Sequence, residues 1–338
     1  MIVEMKNGAS RVEVDTVVEK AKTLGLGVQL NRGTDKVVVA LLGSNTGQIP
    51  TDVFAVLPGV ELVTRIMKPY KLASRTVKSQ NTVVNVGGVE IGGKKIVVMA
   101  GPCAVESEAL LMEAATRVKA AGASILRGGA YKPRTSPFSF QGLEEVGLAL
   151  LAQVKEKLQI PVITEVVDPH QVGMVARASD ILQVGSRNMQ NYALLTAIGK
   201  SKWPVVLKRG FSATITEWLT AADYILAEGN ENVILCERGI RTFEDSTRFT
   251  LDVSAVPVIK RVSHLPVILD PSHAAGHRDL VPSLAKAAVA AGADGLLIEV
   301  HPNPAEALVD GLQSLTPGEF TRLMAELKPL AAAINREI

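Results

Sequence analysis

Three cations, two hydroxyls and a glycine pair fall within ten positions in Arg127-Gly128-Gly129-Ala130-Tyr131-Lys132-Pro133-Arg134-Thr135-Ser136. These residue types suit anion binding. Arginine offers a planar fork to phosphate or carboxylate, lysine a compact charge that can also move a proton, and Thr135 and Ser136 add neutral donors. Gly128 and Gly129 let backbone N–H groups come close to a ligand, and Pro133 fixes the chain between Lys132 and Arg134. Taken alone, the stretch is also compatible with a solvated basic loop. What favours a site is the way other polar residues arrive at the ends of other predicted strands.

From residue 95 onward, short apolar runs alternate with helical patterns. The predicted strands are Lys95 to Met99, Ser124 to Leu126, Pro161 to Thr164, Ile181 to Val184, Pro204 to Leu207, Asn232 to Leu235, Pro266 to Leu269 and Gly295 to Ile298. Between them lie predicted helices at Glu106 to Ala121, Leu143 to Lys157, Pro169 to Ala178, Tyr192 to Ile198, Ile215 to Ala227, Leu251 to Val262 and Leu280 to Ala291, with a last one from Pro317 to Ala333. Eight βα units over about 240 residues predict an α/β fold of the (β/α)8 barrel type. A doubly wound open sheet is the alternative, but no Gly-x-Gly-x-x-Gly follows a strand to mark a dinucleotide crevice.

The predicted strands are followed by Cys103, Arg127, Glu165, Arg187, Lys208, Glu237 with Arg238, Asp270 with His273, and Glu299. In a barrel all of these share the C-terminal rim, where such enzymes hold their active sites. Cations converging on one mouth repel one another unless anions are bound there. The pattern therefore predicts a site for multiply charged anionic substrates.

The whole chain has 338 residues, 47% apolar and 21% charged, enough for a buried core and long enough for two domains. A net charge of +2, spread over both signs, and 4% aromatic content argue against nucleic acid as partner. Two cysteines, Cys103 and Cys236, are too few for a disulfide framework. The opening Met1-Ile2-Val3-Glu4-Met5-Lys6 lacks a secretory layout, and no apolar run is long enough to span a bilayer, so no membrane role and a cytoplasmic location are expected.

Residues 1–69 read as strand (Ile2 to Met5), helix (Val12 to Leu24), strands (Gly27 to Leu30, Val37 to Leu42), helix (Thr51 to Leu57) and strand (Leu62 to Met67). That order is the βαββαβ pattern of ferredoxin-like domains, with Asn31-Arg32-Gly33-Thr34-Asp35 as a hairpin connection. Residues 70–80 read as a linker, and 81–338 as the barrel domain. Thr82-Val83-Val84-Asn85-Val86, Gly87-Gly88 and Val89-Glu90-Ile91 predict a hairpin that caps the barrel bottom.

With these residues in hand, the chain resembles the 3-deoxy-D-arabino-heptulosonate 7-phosphate (DAHP) synthases, in the subgroup with an N-terminal ferredoxin-like, ACT-like domain. The motifs are Ala100-Gly101-Pro102-Cys103, Lys132-Pro133-Arg134-Thr135-Ser136, Gly185-Ser186-Arg187-Asn188, Leu207-Lys208-Arg209-Gly210, Cys236-Glu237-Arg238-Gly239, Asp270-Pro271-Ser272-His273 and Glu299-Val300-His301-Pro302. The resemblance implies the first step of the shikimate pathway, condensation of phosphoenolpyruvate with erythrose 4-phosphate and release of phosphate. It assigns Arg127, Lys132, Arg187, Lys208 and Arg238 to phosphoenolpyruvate, with the backbone of Ser186 facing phosphate. Arg134, Thr135 and Ser136 fall to the aldose phosphate, with Arg278 as an addition. Proton transfer is expected of Lys132, and water positioning of Glu165 or Glu237.

Resemblance also makes Cys103, His273, Glu299 and Asp310 a divalent-metal site, for which Mn2+, Fe2+, Zn2+ and Co2+ all remain open. Its expected chemistry is Lewis-acid polarisation of the aldose carbonyl. Without the resemblance, Cys103 suits a small buried group and Asp310, before Gly311, a turn. His301 fits either a partner behind the metal ligands or a structural histidine. For residues 1–69 the resemblance implies an aromatic amino acid sensor, for tyrosine or phenylalanine, and a homotetramer; a domain that only assembles the oligomer is the other reading. The competing functions are a 3-deoxy-octulosonate 8-phosphate synthase acting on arabinose 5-phosphate, a non-catalytic anion-binding module, and a metal-dependent aldolase.

Overall fold

The computed structural model describes residues 1–33, 36–43, 46, 49–65, 69–134 and 136–338. The predicted hairpin tip at Thr34 and Asp35, the end of the predicted strand at Ile66 and Met67, Lys68, and the candidate site residue Thr135 lie outside them. Two compact units are present: residues 1–81 with 262–264, and residues 82–261 with 265–338.

In the first unit the expected order forms: β1 (Ile2–Met5), α1 (Arg11–Thr23), β2 (Gly27–Arg32), β3 (Val37–Leu42), α2 (Asp52–Ala55) and β4 (Val60–Thr64). The four strands make one antiparallel sheet in the order β2-β3-β1-β4. Period-2 burial turns Val3 and Met5 of β1, with Val39 and Leu41 of β3, onto Val14 and Val17 of α1 and Phe54 of α2. Helix α1 starts where Ser10 and Glu13 satisfy each other's backbone N–H groups in a capping box.

The second unit opens with the hairpin β5 (Val84–Val86) and β6 (Val89–Ile91). Eight parallel strands then close into a barrel: β7 (Val97–Gly101), β8 (Ile125–Arg127), β9 (Val162–Glu165), β10 (Ile181–Val184), β11 (Val205–Lys208), β12 (Val233–Glu237), β13 (Val267–Leu269) and β14 (Gly295–Glu299). Helices α3 (Glu108–Ala120), α4 (Glu144–Leu158), α5 (Val172–Ala178), α6 (Tyr192–Ser201), α7 (Ile215–Ala227), α8 (Ala255–Val262), α9 (Pro271–Ala275), α10 (Val281–Ala290) and α11 (Pro317–Ala333) lie between and after them. The predicted α/β barrel with a ferredoxin-like domain ahead of it is therefore the architecture found.

Several strands reach past their apolar runs. Backbone pairing is indifferent to side-chain polarity, so Arg127, Glu165, Lys208, Glu237 and Glu299 are themselves the last residues of their strands. That fixes their side chains on a rigid ladder, with Lys208 paired to Cys236 and Glu299 to Gly101. Helix α8 starts later than the predicted Leu251, because Asp252 is held by Arg209 at 2.7 Å outside the helix.

Inside the barrel Val97, Met99, Ile125, Ile163, Ile181, Val206, Ile234, Cys236, Ile268 and Leu297 form one cluster, joined by Val84, Val86 and Ile91 of the hairpin. The hairpin does fill the bottom, as its sequence predicted. Cys236 is part of this filling, and both cysteines are free thiols.

Candidate active site

Alternation along each strand decides which rim residues look inward. Two positions after the inward Ile125, Ile163, Val206, Ile268 and Leu297 come Arg127, Glu165, Lys208, Asp270 and Glu299. They converge on the C-terminal end of the barrel. There a cavity of about 230 Å3 is lined by Arg127, Lys132, Arg134, Ser136, Glu165, Ser186, Arg187, Lys208, Arg238, His273 and Asp310.

Close approach at this end depends on two glycines. A Cβ on Gly185 would lie 2.2 Å from Glu165 Oε1, and one on Gly129 would lie 2.7 Å from Lys132 Cδ. Both side chains reach the mouth only because those methyls are missing.

Cys103, His273, Glu299 and Asp310 offer four donor atoms within 4.8 Å of one another. Cys103 Sγ is 3.2 Å from Asp310 Oδ2, while His273 Nε2 is 3.3 Å from Glu299 Oε1 and 3.8 Å from Asp310 Oδ2. The other ring nitrogen, Nδ1, lies 2.7 Å from Asp270 Oδ2, which turns Nε2 toward the cluster. Burial holds His273 below the usual imidazole range despite Asp270 and Glu299, leaving the neutral ring that metal binding requires. Burial raises Asp310, yet His273 and Arg248 outweigh it and hold the carboxyl at about 2. Cys103 is pushed up by burial and by Glu299, so its thiol is protonated until a cation draws off the proton. A thiolate, an imidazole and two carboxylates at this spacing fit a single divalent transition metal.

Beside the cluster the cations differ in how they are satisfied. Arg127 Nη1 donates to Glu299 Oε1 at 2.7 Å, and Lys208 Nζ to Asp270 Oδ2 at 2.6 Å. Lys132 Nζ donates to Cys103 Sγ at 3.1 Å and to the Cys103 carbonyl at 3.2 Å. Burial opposes its charge, but the carboxylates of Glu165 and Glu299 prevail and its pKa stands above the ordinary lysine value. Arg238, 4% exposed, lies over the stacked rings of Phe249 and Phe211 at 4.2 and 4.9 Å. Burial, with Arg248 acting the same way, lowers its pKa to about 10. Arg127 Nε, Ser186 Oγ and Arg238 Nη1 are buried and have no hydrogen-bond partner among the described residues. All three belong to the lining of the one cavity.

A closed parallel barrel with this rim matches known proteins over its whole length. The DAHP synthetase I family covers residues 74–336, and the DAHP synthase ferredoxin-like domain covers residues 1–68. The chain belongs to the DAHP synthetase I family. Within it, a phospho-2-dehydro-3-deoxyheptonate aldolase of Thermotoga maritima is 46% identical over 338 residues, all of both chains. The crystal structure of a DAHP synthase from that organism superposes with a TM-score of 0.79, covering 99% of this chain and 98% of that one. A 2-dehydro-3-deoxyphosphooctonate aldolase of Geobacter sulfurreducens is 33% identical and matches 75% of this chain and 98% of its own.

Two residues expected at the DAHP synthase site do not reach it. Glu237 points away from the mouth: it is 0% exposed, bonded to Arg209 at 3.0 Å and to the Gly239 N–H at 2.6 Å. Cys236 faces the interior, so its neighbours Glu237 and Leu235 must face outward, and only Arg238 turns back in. Arg278 is exposed and outside the cavity lining, because its backbone N–H is tied to Leu312 O at 2.9 Å beyond α9. His301 is also turned away, with Nδ1 accepting from the Asn303 N–H and Nε2 3.6 Å from Glu106.

Gln183, Arg248 and Gln313 are among the lining or supporting residues that were not foreseen. Gln183 lines the cavity and donates to Glu165 Oε2 at 3.3 Å. Arg248 lines it as well, donating to Asp310 Oδ1 at 3.2 Å, and Gln313 donates to Glu299 Oε2 at 2.6 Å. Strand parity would have pointed to Gln183. Arg248 arrives from an irregular loop and Gln313 from the single 3-10 turn Gly311–Gln313, both too short or irregular to give a period to read.

Proposed function

We propose that this mouth catalyses the DAHP synthase reaction, in which phosphoenolpyruvate, erythrose 4-phosphate and water give DAHP and inorganic phosphate. The observation that carries it is the trio of unpartnered buried donors, Arg127 Nε, Ser186 Oγ and Arg238 Nη1, in a cavity that also borders the four-donor cluster. Leaving buried donors unmade costs about 1–3 kcal/mol each, more when charged, so they are kept for a ligand that is an anion.

Arg127, Arg187, Lys208 and Arg238 take the phosphate and carboxylate of phosphoenolpyruvate, assisted by Lys132 and Ser186. Arg134 and Ser136, at the outer part of the anion loop, take the aldose phosphate together with Thr135. Cys103, His273, Glu299 and Asp310 hold one divalent ion, which supplies Lewis-acid polarisation of a carbonyl when bound. Lys132 sits against Cys103, charged in the free protein and placed to give a proton to the aldehyde oxygen as C3 of phosphoenolpyruvate bonds to the aldehyde carbon. Glu165, 7% exposed and steadied by Gln183, orients the water that adds at C2 before phosphate leaves.

The test is phosphate release with phosphoenolpyruvate and each of erythrose 4-phosphate and arabinose 5-phosphate, with and without EDTA. Release with the four-carbon aldose alone, abolished by EDTA and restored by Mn2+, is the expected result. Turnover only with the five-carbon aldose would make it an octulosonate phosphate synthase. Ligand binding without any release would make it a sensor. For the ferredoxin-like domain the reading is feedback control by tyrosine or phenylalanine in a homotetramer. Full-length enzyme indifferent to both amino acids would leave that domain an assembly role.

A further inference from the structure

Each of the two carboxylates in the four-donor cluster turns one oxygen toward the other donors and the other oxygen away. Glu299 Oε1 lies 3.3 Å from His273 Nε2, while Oε2 accepts from Gln313 Nε2 at 2.6 Å. Asp310 Oδ2 lies 3.2 Å from Cys103 Sγ, while Oδ1 accepts from Arg248 Nη1 at 3.2 Å. The same Arg248 Nη1 donates to Gln313 Oε1 at 2.9 Å. The outward oxygens are thus joined from behind by one continuous bridge, Asp310–Arg248–Gln313–Glu299.

Its polarity admits one arrangement. The Gln313 amide stands between a carboxylate and a guanidinium, so its NH2 must face Glu299 and its oxygen Arg248. Gln313 is 2% exposed, and water has little access to take either place. The bridge also ties three separate segments: the long loop after β12, the end of β14, and the loop that carries Asp310. In that last loop Asp310 adopts φ 54°, a left-handed conformation that aspartate accepts more readily than most residues other than glycine.

We infer that Arg248 and Gln313 are positioning residues for the metal, a clamp that presets the inward oxygens of Asp310 and Glu299 before an ion arrives. The clamp rests on the reading of Cys103, His273, Glu299 and Asp310 as ligands. Without it both carboxylates can rotate, and a bound ion must order them at the cost of affinity. Groups behind metal ligands typically contribute a factor of about 10–100 in metal affinity. Gln313 is the more buried member, so its loss costs more than that of Arg248, whose side chain is 39% exposed.

The experiment is a Co2+ titration of full-length, metal-stripped protein without substrate, followed by the thiolate-to-cobalt charge-transfer absorption of Cys103. Arg248 also lines the substrate cavity, so turnover would confuse two roles, whereas the metal alone reads one. Gln313→Met is expected to weaken Co2+ binding by roughly 10–100-fold and Arg248→Met by about 10-fold, with the band unchanged in position. Arg248→Lys restores affinity, because one ammonium can donate to both Asp310 and Gln313. If the buried Gln313→Met variant does not fold, Arg248→Met and Arg248→Lys carry the test from the rim. Variants that bind Co2+ within about twofold of a wild type showing the band would overturn the clamp alone. A wild type without the band would overturn the metal reading and the clamp with it.

Discussion

Two buried arginines on neighbouring strands show what satisfaction of a charge means. Arg209, just past β11, is 5% exposed and fully engaged: Nη1 meets Glu237 at 3.0 Å and Asp252 at 2.7 Å, and Nε donates to the Ala213 carbonyl at 2.8 Å. Arg238, just past β12, is equally buried, yet its Nη1 has no hydrogen-bond partner among the described residues and aromatic rings are packed against it. The first holds the neck of the loop between Glu237 and Asp252. The second sits on that loop with one guanidinium nitrogen unpartnered beside a cavity. Of these two, the arginine bound to carboxylates holds a loop, and the one with a spare donor is available to a ligand.

Exchanging the two roles by mutation should separate stability from binding. Arg209→Met leaves two carboxylates without their cation and should cost about 3–5 kcal/mol of unfolding free energy, seen as a lower urea midpoint. If stability is unchanged, the contrast collapses. Phosphoenolpyruvate at about 100 times its Kd should stabilise wild type by about 2.7 kcal/mol in the same assay, and Arg238→Met by clearly less. Arg238→Met itself should leave unliganded stability intact or improved, while kcat/KM for phosphoenolpyruvate falls roughly 10- to 100-fold, the worth of one hydrogen bond to a charged group. An Arg238→Met enzyme with normal kcat/KM would remove the receptor role.

The smallest effect concerns pH. Burial raises Asp252, but hydrogen bonds from Ser254 and Arg209 outweigh it and hold its pKa below the ordinary value. A depressed carboxylate stabilises the fold above its unfolded value of about 3.9 and loses that contribution as pH falls through the folded one. Glu237 goes the other way: burial raises it despite Arg209, so its contribution is present below the unfolded value of about 4.3 and fades as pH rises through the folded one. Asp252→Asn should therefore lose less stability than wild type between about pH 5 and about pH 3, compared by urea unfolding. Equal losses would mean Asp252 does not share Arg209.

Much of this contrast was legible beforehand and part of it was misread. The barrel strands announced themselves as short Val- and Ile-rich runs, and the cations at their ends pointed correctly to one mouth. Glu237 was misjudged by grouping it with Arg238, although a period of two puts neighbouring residues on opposite sides of a strand. Cys103 and Asp310 are 207 positions apart, so no spacing rule joins them; family likeness did. Arg248 and Gln313 could be found only in three dimensions, because an irregular loop and a single three-residue turn carry no repeat from which a direction could be read.

The hairpin residues Val84, Val86 and Ile91 stopper the far end of the barrel with hydrocarbon. Everything that reacts must therefore come and go through a single doorway. On the proposed assignments, a molecule held against Arg127 and Lys208 has to be in place before one held at Arg134 and Ser136 blocks the threshold, and whatever stays at the threshold delays the departure of what lies beneath. The closed floor would then impose a queue on the reactants, set by depth and independent of how tightly either is held.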